Sequence, residues 1–189
     1  LVATGGGYAL VYYDRVTGNI WGAEQEGGAW NAPVLIDGYG VNDEAIGDSG
    51  IGASLFVDDA GVWHVTYVDG AEETLRYATV TDGTVVTELV DNGSTDGANP
   101  HPDGRHIIGD DSSVVVTGSG EVRVAYQDST LQRVMLATKP MGGEWSTRVV
   151  DMEASTGYWI EQELVGDMSF IATWWRDTSG GNGVRIFNP

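Results

Sequence analysis

The chain has 189 residues, 41% of them hydrophobic, with seven Trp and eight Tyr: enough for one domain with a sizeable core, and too apolar for a disordered segment. Its 28 acidic residues against 9 basic ones give a formal net charge of −19, which repels nucleic-acid backbones and anionic lipid and favours cations or cationic partners. There is no cysteine, which excludes disulfides and thiolate metal sites, and no apolar run reaches the roughly 18 residues that a membrane-spanning helix needs.

The chain opens at Leu1 with neither Met nor a leader-like stretch, so a piece processed from a longer precursor is expected. Leu1–Ala3 reads as the remnant of a strand. From there a single motif recurs, most legibly between Ser54 and Asp91. Ser54–Val57, Trp63–Val68, Leu75–Val80 and Val85–Val90 are β-branched and aromatic runs separated by Asp/Gly turns, the pattern of an antiparallel meander.

Three landmarks set the repeat. An Asp closes an aromatic-rich strand at Tyr12-Tyr13-Asp14, Tyr67-Val68-Asp69, Tyr126-Gln127-Asp128 and Trp175-Arg176-Asp177, at intervals of 55, 59 and 49 residues. Nine residues after the first three lie Ala23, Ala78 and Ala137, and the strand after those ends at Asp37, Asp91 and Asp151. Repeat units of roughly 1–37, 54–91, 112–151 and 157–189 follow, built on a four-strand pattern. The last ends at Val184–Phe187, the third strand of its unit, so one outer strand is missing. A period near 50 residues falls in the range of β-propeller blades. A meander apolar on both faces, as Trp63–Val68 is, must be covered on both, and radial stacking of blades does that. The expected fold is all-β: a propeller of about four four-stranded antiparallel blades, whole or part of a larger one. The weak helical pattern at Glu161–Met168 is set aside because Gly157, Gly166 and the Trp174-Trp175 strand favour β structure.

Few residues point to chemistry. Asp14, Asp69, Asp128 and Asp177 could line a binding surface or carry catalysis, but four quasi-equivalent copies favour Asp residues that bond their own turns. The inter-unit stretch Asn99–Asp111 holds His101 and His106 with Asp110 and Asp111, a candidate set for zinc, although hydrogen-bonded loop ordering is the favoured role. Asp91–Gly97, and Asp43-Glu44 with Asp48, resemble loose calcium loops without EF-hand spacing. Trp30, Trp145 and Trp159, if exposed, could stack on sugar rings. His64, mid-strand, is expected to pack within a blade.

The unit S-L-x-V-D-x-x-G-x-W-H-V-x-Y-x-D, from Ser54 to Asp69, resembles the repeats of secreted bacterial β-propellers of sialidase and lectin type. Val57–Trp63 partly echoes the sialidase Asp-box, while Arg15, Arg76, Arg123 and Arg176 do not occupy equivalent repeat positions, as a sialidase arginine triad would require. The resemblance implies an extracellular or cell-surface module that binds a glycan or a protein through loops on one face. Its alternatives are a propeller glycosidase with inward carboxylates, or a structural part of a larger protein associating with the remainder of its chain. Calcium, and then zinc, are the candidate cofactors.

Overall fold

The computed structural model describes residues 1–38, 48–96 and 99–189, and among them every regular element is a strand. Four antiparallel sheets follow one another along the chain. The first contains β1 (Val2–Ala3), β2 (Gly7–Asp14), β3 (Asn19–Glu26), β4 (Ala29–Trp30) and β5 (Val34–Asp37), with β4 and β5 both pairing with β3. The second is β6 (Ser49–Val57), β7 (Trp63–Asp69), β8 (Thr74–Thr81) and β9 (Thr84–Asp91). The third is β10 (Ile108–Val116), β11 (Val122–Asp128), β12 (Arg133–Lys139) and β13 (Ser146–Asp151). The fourth has three strands, β14 (Ser155–Val165), β15 (Met168–Arg176) and β16 (Asn182–Phe187). This is a propeller-like succession of blades: each sheet packs on the next, and among the described residues the fourth makes no extensive contact with the first. Val2–Ala3 pairs with β2 of its own sheet, so it does not supply the outer strand absent beyond β16.

Each blade junction has its own core, and the two faces of the second and third sheets contribute to different cores. Ala9, Ile20 and Ile36 of the first sheet meet Trp63, Val65 and Tyr67 of the second. Leu75, Tyr77 and Val90 of the second meet Val122, Val124 and Tyr126 of the third. Val134 and Leu136 of the third meet Ile160 and Ile171 of the fourth. The alternation along each strand therefore sends one row of side chains to the preceding blade and the other row to the following one. Inner strands are also stapled by small hydroxyls: Ser54 Oγ accepts the Val114 amide at 3.2 Å, and Ser113 Oγ accepts the Gln162 amide at 2.9 Å.

Charged clasps close these cores at one end. The hydroxyl of Tyr67 donates to Asp37 Oδ2 at 2.6 Å, and that of Tyr126 donates to Asp91 Oδ2 at 2.6 Å. In both cases the last residue of one sheet is held by the second strand of the next. Burial, then the neighbouring carboxylate, raises the pKa of both phenols well above the usual tyrosine range, so each remains a donor. At the third junction the position of those tyrosines is Trp175, and Arg185 substitutes: its Nη1 donates to Asp151 Oδ2 at 2.8 Å while its guanidinium lies 4.8 Å from the Trp175 ring centroid.

Two sequence expectations shift in detail. The second sheet begins at Ser49 rather than Ser54, and the third at Ile108, so Asp110 and Asp111 belong to a strand rather than to the preceding loop. Asp43 and Glu44 lie outside the described residues. His64 packs within its blade as expected, with Nδ1 2.5 Å from the Tyr77 hydroxyl. Gly22 is a point of close approach between the first two blades: a Cβ there would lie 2.6 Å from Trp63 Cζ3 of the second, and 3.2 Å from Ile36 Cδ1 of its own. Gly22→Ala is expected to destabilise the protein by about 1–3 kcal/mol in urea titrations, the usual cost of overpacking a tight core.

Candidate functional site

The four aspartates that set the repeat all bond their own turns. Asp14 Oδ1 accepts the Val16 amide at 2.9 Å, and Asp69 Oδ1 accepts the Ala71 and Glu72 amides at 3.1 and 3.3 Å. Asp128 Oδ1 takes the amides of Thr130 and Leu131 at 3.1 and 3.2 Å, and Asp177 Oδ1 those of Ser179 and Gly181, both at 2.8 Å. Hydrogen bonds, chiefly from Thr17 to Asp14 and from Ser179 to Asp177, hold both carboxyls below the ordinary carboxylate range. The repetition is thus one of turn architecture.

The loop between the second and third sheets brings its two histidines together. Their ring centroids are 4.4 Å apart, and both residues are buried. His101 Nε2 lies 3.1 and 3.0 Å from the two oxygens of Asp91, the carboxylate that Tyr126 also holds. His106 Nδ1 lies 2.7 Å from Asp128 Oδ2, which also accepts Arg133 Nε at 2.8 Å, and His106 Nε2 lies 3.3 Å from Asp103 Oδ1. The histidine partners are therefore Asp91, Asp103 and Asp128. Asp110, grouped with the histidines in the sequence, instead accepts the Ser129 hydroxyl at 2.8 Å, and Asp111 accepts the Ile160 amide at 3.2 Å.

His101, His106 and Asp128 form the one group among the described residues with potential metal-ligand atoms within 4.8 Å of each other. Imidazole and carboxylate donors suit zinc. The carboxylate, however, already receives two amides, a guanidinium and an imidazole, which fill the roughly four lone-pair sites it has. A metal would have to displace one of them. The arrangement therefore reads first as a buried polar latch that fastens the loop to both sheets. In the calcium-like run, Asp91 is engaged by Gly93, His101 and Tyr126, and Asn92 Oδ1 accepts the Ser94 amide at 3.0 Å. Asp48 accepts the Tyr13 hydroxyl.

The open chemistry is at the third junction. Gln132 from the third sheet, Ser155 and Tyr158 from β14, and Arg176 with Asp177 from the end of β15 line a cleft of about 620 Å³. The Arg176–Thr178 segment also walls a second hollow of about 340 Å³ that reaches Trp174 and Asn182. Beside these stands Trp159, 71% exposed. Its φ of 50° is in the left-handed region, unusual for a bulky residue, and it lies within a slip of the β14–β15 register between Tyr158 and Glu161. The bulge turns the indole out of the sheet, edge-on to Trp174 at 5.5 Å between centroids, and Tyr158 packs on Trp174 at 5.6 Å. Trp30 is also half exposed, on the first sheet. Trp145 is used in packing, edge-on to Tyr77 at 5.3 Å with Nε1 donating to Glu88 at 3.1 Å.

A further cleft, of about 400 Å³, lies where the first strands of all four sheets converge. Val2, Ser54, Asp111, Ser112 and Glu161 are among its lining residues. Burial raises the pKa of the Asp111 carboxyl, and the charge of Glu161 adds to the rise. Nothing in the repeat pattern distinguished this pair, because Asp111 and Glu161 occupy different positions on their strands.

No known protein family matches the sequence, and no curated protein sequence is significantly similar to it. Solved structures do share the fold. A protein of unknown function from Dyadobacter fermentans superposes with a TM-score of 0.56 at 14% identity, over 90% of this chain and 48% of that one. The Aleuria aurantia lectin, solved in complex with alpha-methyl-L-fucoside, gives 0.52 at 12% identity, over 89% and 51%. A sialidase from Streptococcus pneumoniae gives 0.52 at 12%, over 89% and 25%. The chain thus spans about half the length of the first two. These likenesses establish an all-β propeller-like fold of a kind found in carbohydrate-related proteins.

His101→Ala and His106→Ala are each expected to cost about 1–3 kcal/mol in urea titrations, the cost of taking one hydrogen-bond partner from a buried group, since Asp91 and Asp128 keep other donors. Zinc added to EDTA-treated protein is expected to leave the thermal midpoint unchanged. A zinc-specific rise that both substitutions abolish would identify a metal site instead.

Proposed function

We propose that the chain is a non-catalytic carbohydrate-binding part of an extracellular or cell-surface propeller, and that its sugar site is the cleft between the third and fourth sheets. The observation that carries this reading is Trp159. A bulky residue held at positive φ, in a bulge, with most of its indole in water costs stability that packing does not return. Such an exposed indole face suits the apolar face of a pyranose. Tyr158, whose ring centroid lies 6.5 Å from that of Trp159, lines the neighbouring cleft, where Gln132, Ser155, Arg176 and Asp177 supply donors and acceptors, with Asp177 kept ionised by its turn. The lectin fold likeness agrees with this class of ligand, and the acidic surface favours neutral or cationic sugars over sialylated ones.

A second reading, a glycoside hydrolase, has one observation in its favour. Asp111 and Glu161 share the inner cleft, and the carboxyl of Asp111 is raised by burial and by its neighbour. A carboxyl raised by burial beside a second carboxylate is what general acid catalysis of glycoside cleavage requires.

A glycan array followed by calorimetry separates the readings. Binding is expected to at least one neutral-sugar class without release of free sugar. Trp159→Ala and Arg176→Ala are each expected to weaken it about tenfold, equivalent to ~1.4 kcal/mol, with the circular dichroism spectrum unchanged. An array with no ligand overturns the binding role. Hydrolysis of a bound glycan that Asp111→Asn and Glu161→Gln abolish, and Trp159→Ala does not, would establish the enzyme.

A further inference from the structure

The first strands of successive sheets are tied to one another by repeating contacts, and one tie departs from the repeat. Ser54 pairs with Thr66, three residues before Asp69, and Ser113 pairs with Ala125, three before Asp128, so the two serines occupy equivalent places. Each accepts an amide of the following sheet, from Val114 and from Gln162. Two residues before each serine the equivalence ends. At the second junction the residue there is Gly52, at a φ of 61°, and a Cβ on it would lie 2.6 Å from the Asp110 carbonyl oxygen. Backbone meets backbone with no room for a side chain. At the third junction the residue is Asp111, whose carboxylate Oδ2 accepts the Ile160 amide at 3.2 Å.

What Asp111 holds is the slip that carries Trp159. The β14–β15 register breaks between Tyr158 and Glu161, and the Ile160 amide lies inside that break. The Trp159 amide faces the same carboxylate. From within the fourth sheet, Thr173 Oγ1 accepts the Gly157 amide at 3.1 Å and donates to the Tyr158 carbonyl at 3.0 Å. Ile160 itself is buried in the core shared with the third sheet. The backbone is thus fixed on both sides of Trp159 while the indole stands in water. A bulky residue stays at positive φ only where its surroundings over-determine the backbone, and a charged acceptor is the stronger kind of tie. The contrast with the second junction agrees: β10, which Gly52 meets, carries no aromatic residue.

We propose that Asp111 is a positioning residue for Trp159: its carboxylate, reaching across from the third sheet, holds the irregular stretch of β14 in the form that turns the indole outward. That the indole then binds sugar rests on the function proposed above; its placement by Asp111 does not. Without the acceptor the Ile160 amide loses its partner next to a buried side chain, and the slip is free to shift. A platform already held in its binding form is spared the cost of ordering. The apparent affinity of the sugar site therefore follows the fraction of molecules in which the slip is set.

Residue-resolved amide hydrogen exchange of the 189-residue chain, read by NMR without any sugar, tests this. In the unaltered protein the Ile160 amide is expected to be protected. Asp111→Ala, and the similarly shaped but non-accepting Asp111→Leu, are each expected to speed its exchange about tenfold or more. The Val114 amide, tied by Ser54 at the other junction, is expected to stay as it was. The Trp159 indole cross-peak, assigned by its absence in Trp159→Ala, shifts in the same two variants. Asp111→Asn, whose side-chain oxygen still accepts an N–H, restores both readings. Two non-accepting variants keep the test intact if one of them does not fold. An unprotected Ile160 amide in the unaltered protein, an indole cross-peak that stays in place in Asp111→Ala and Asp111→Leu, or an equal effect at Val114 would each overturn the proposal. So would an Asp111→Asn variant that behaves as Asp111→Ala does. A chain that binds no glycan while these readings hold removes the sugar site alone, and glycan binding with unchanged readings removes the role of Asp111 alone.

Discussion

The structure depends on the buried aspartate that ends each blade. Asp37, Asp91 and Asp151 are removed from water, and each is held by a donor reaching back from the following blade: Tyr67, Tyr126 and Arg185. A carboxylate buried without partners would cost several kcal/mol, so the contact forms only when the two blades are correctly seated. Apolar rows such as Trp63, Val65 and Tyr67 supply most of the burial, but they are smooth enough to slide. The clasp fixes their register, as a polar group in a core can. It also explains why each sheet can be apolar on both faces without aggregating inside the chain: every internal face has a designated partner and a charged end-stop.

The second junction shows how a loop becomes individual within a repeat. Its clasp repeats that of the first, with Gly93 donating to Asp91 as Gly38 does to Asp37, at 2.8 and 2.9 Å. His101 and His106 are added on top, joining Asp91 to Asp128 through two imidazoles in tilted contact. Both histidines are almost wholly enclosed, so they meet neighbouring side chains rather than solvent ligands. The third junction takes the opposite course. Its tyrosine is replaced by Trp175 and Arg185, and a cleft lined by Gln132, Ser155, Tyr158 and Arg176 stays open there.

The architecture was legible in the sequence because the repeat is written in turn chemistry. Asp14, Asp69, Asp128 and Asp177 bond their own turns, and that local need keeps them in place whatever the strands contain. The terminal aspartates were visible as landmarks, but their purpose was not, since the partner of Asp91 is 35 residues away on another sheet. The same limit hid the site. Asp110 and Asp111 are near His101 and His106 along the chain, but strand pairing turns them toward Ser129 and Ile160. The Asp111–Glu161 pair and the Trp159 bulge arise from convergence of strands and a slip in register, neither of which has a local sequence signature. Only the count of exposed aromatics offered a hint, and it named Trp30, Trp145 and Trp159 alike, of which Trp145 is packed against Tyr77.

The most direct test of the clasp is a double-mutant cycle on Asp91→Asn and Tyr126→Phe, read by urea denaturation at neutral pH. If the carboxylate and the hydroxyl hold the second junction together, the two substitutions will be non-additive by about 1.5–3 kcal/mol, the range for a hydrogen bond to a buried charge. Additive losses, with a coupling indistinguishable from zero, would mean that the junction is held by its apolar rows alone and that the aspartates are incidental to the fold.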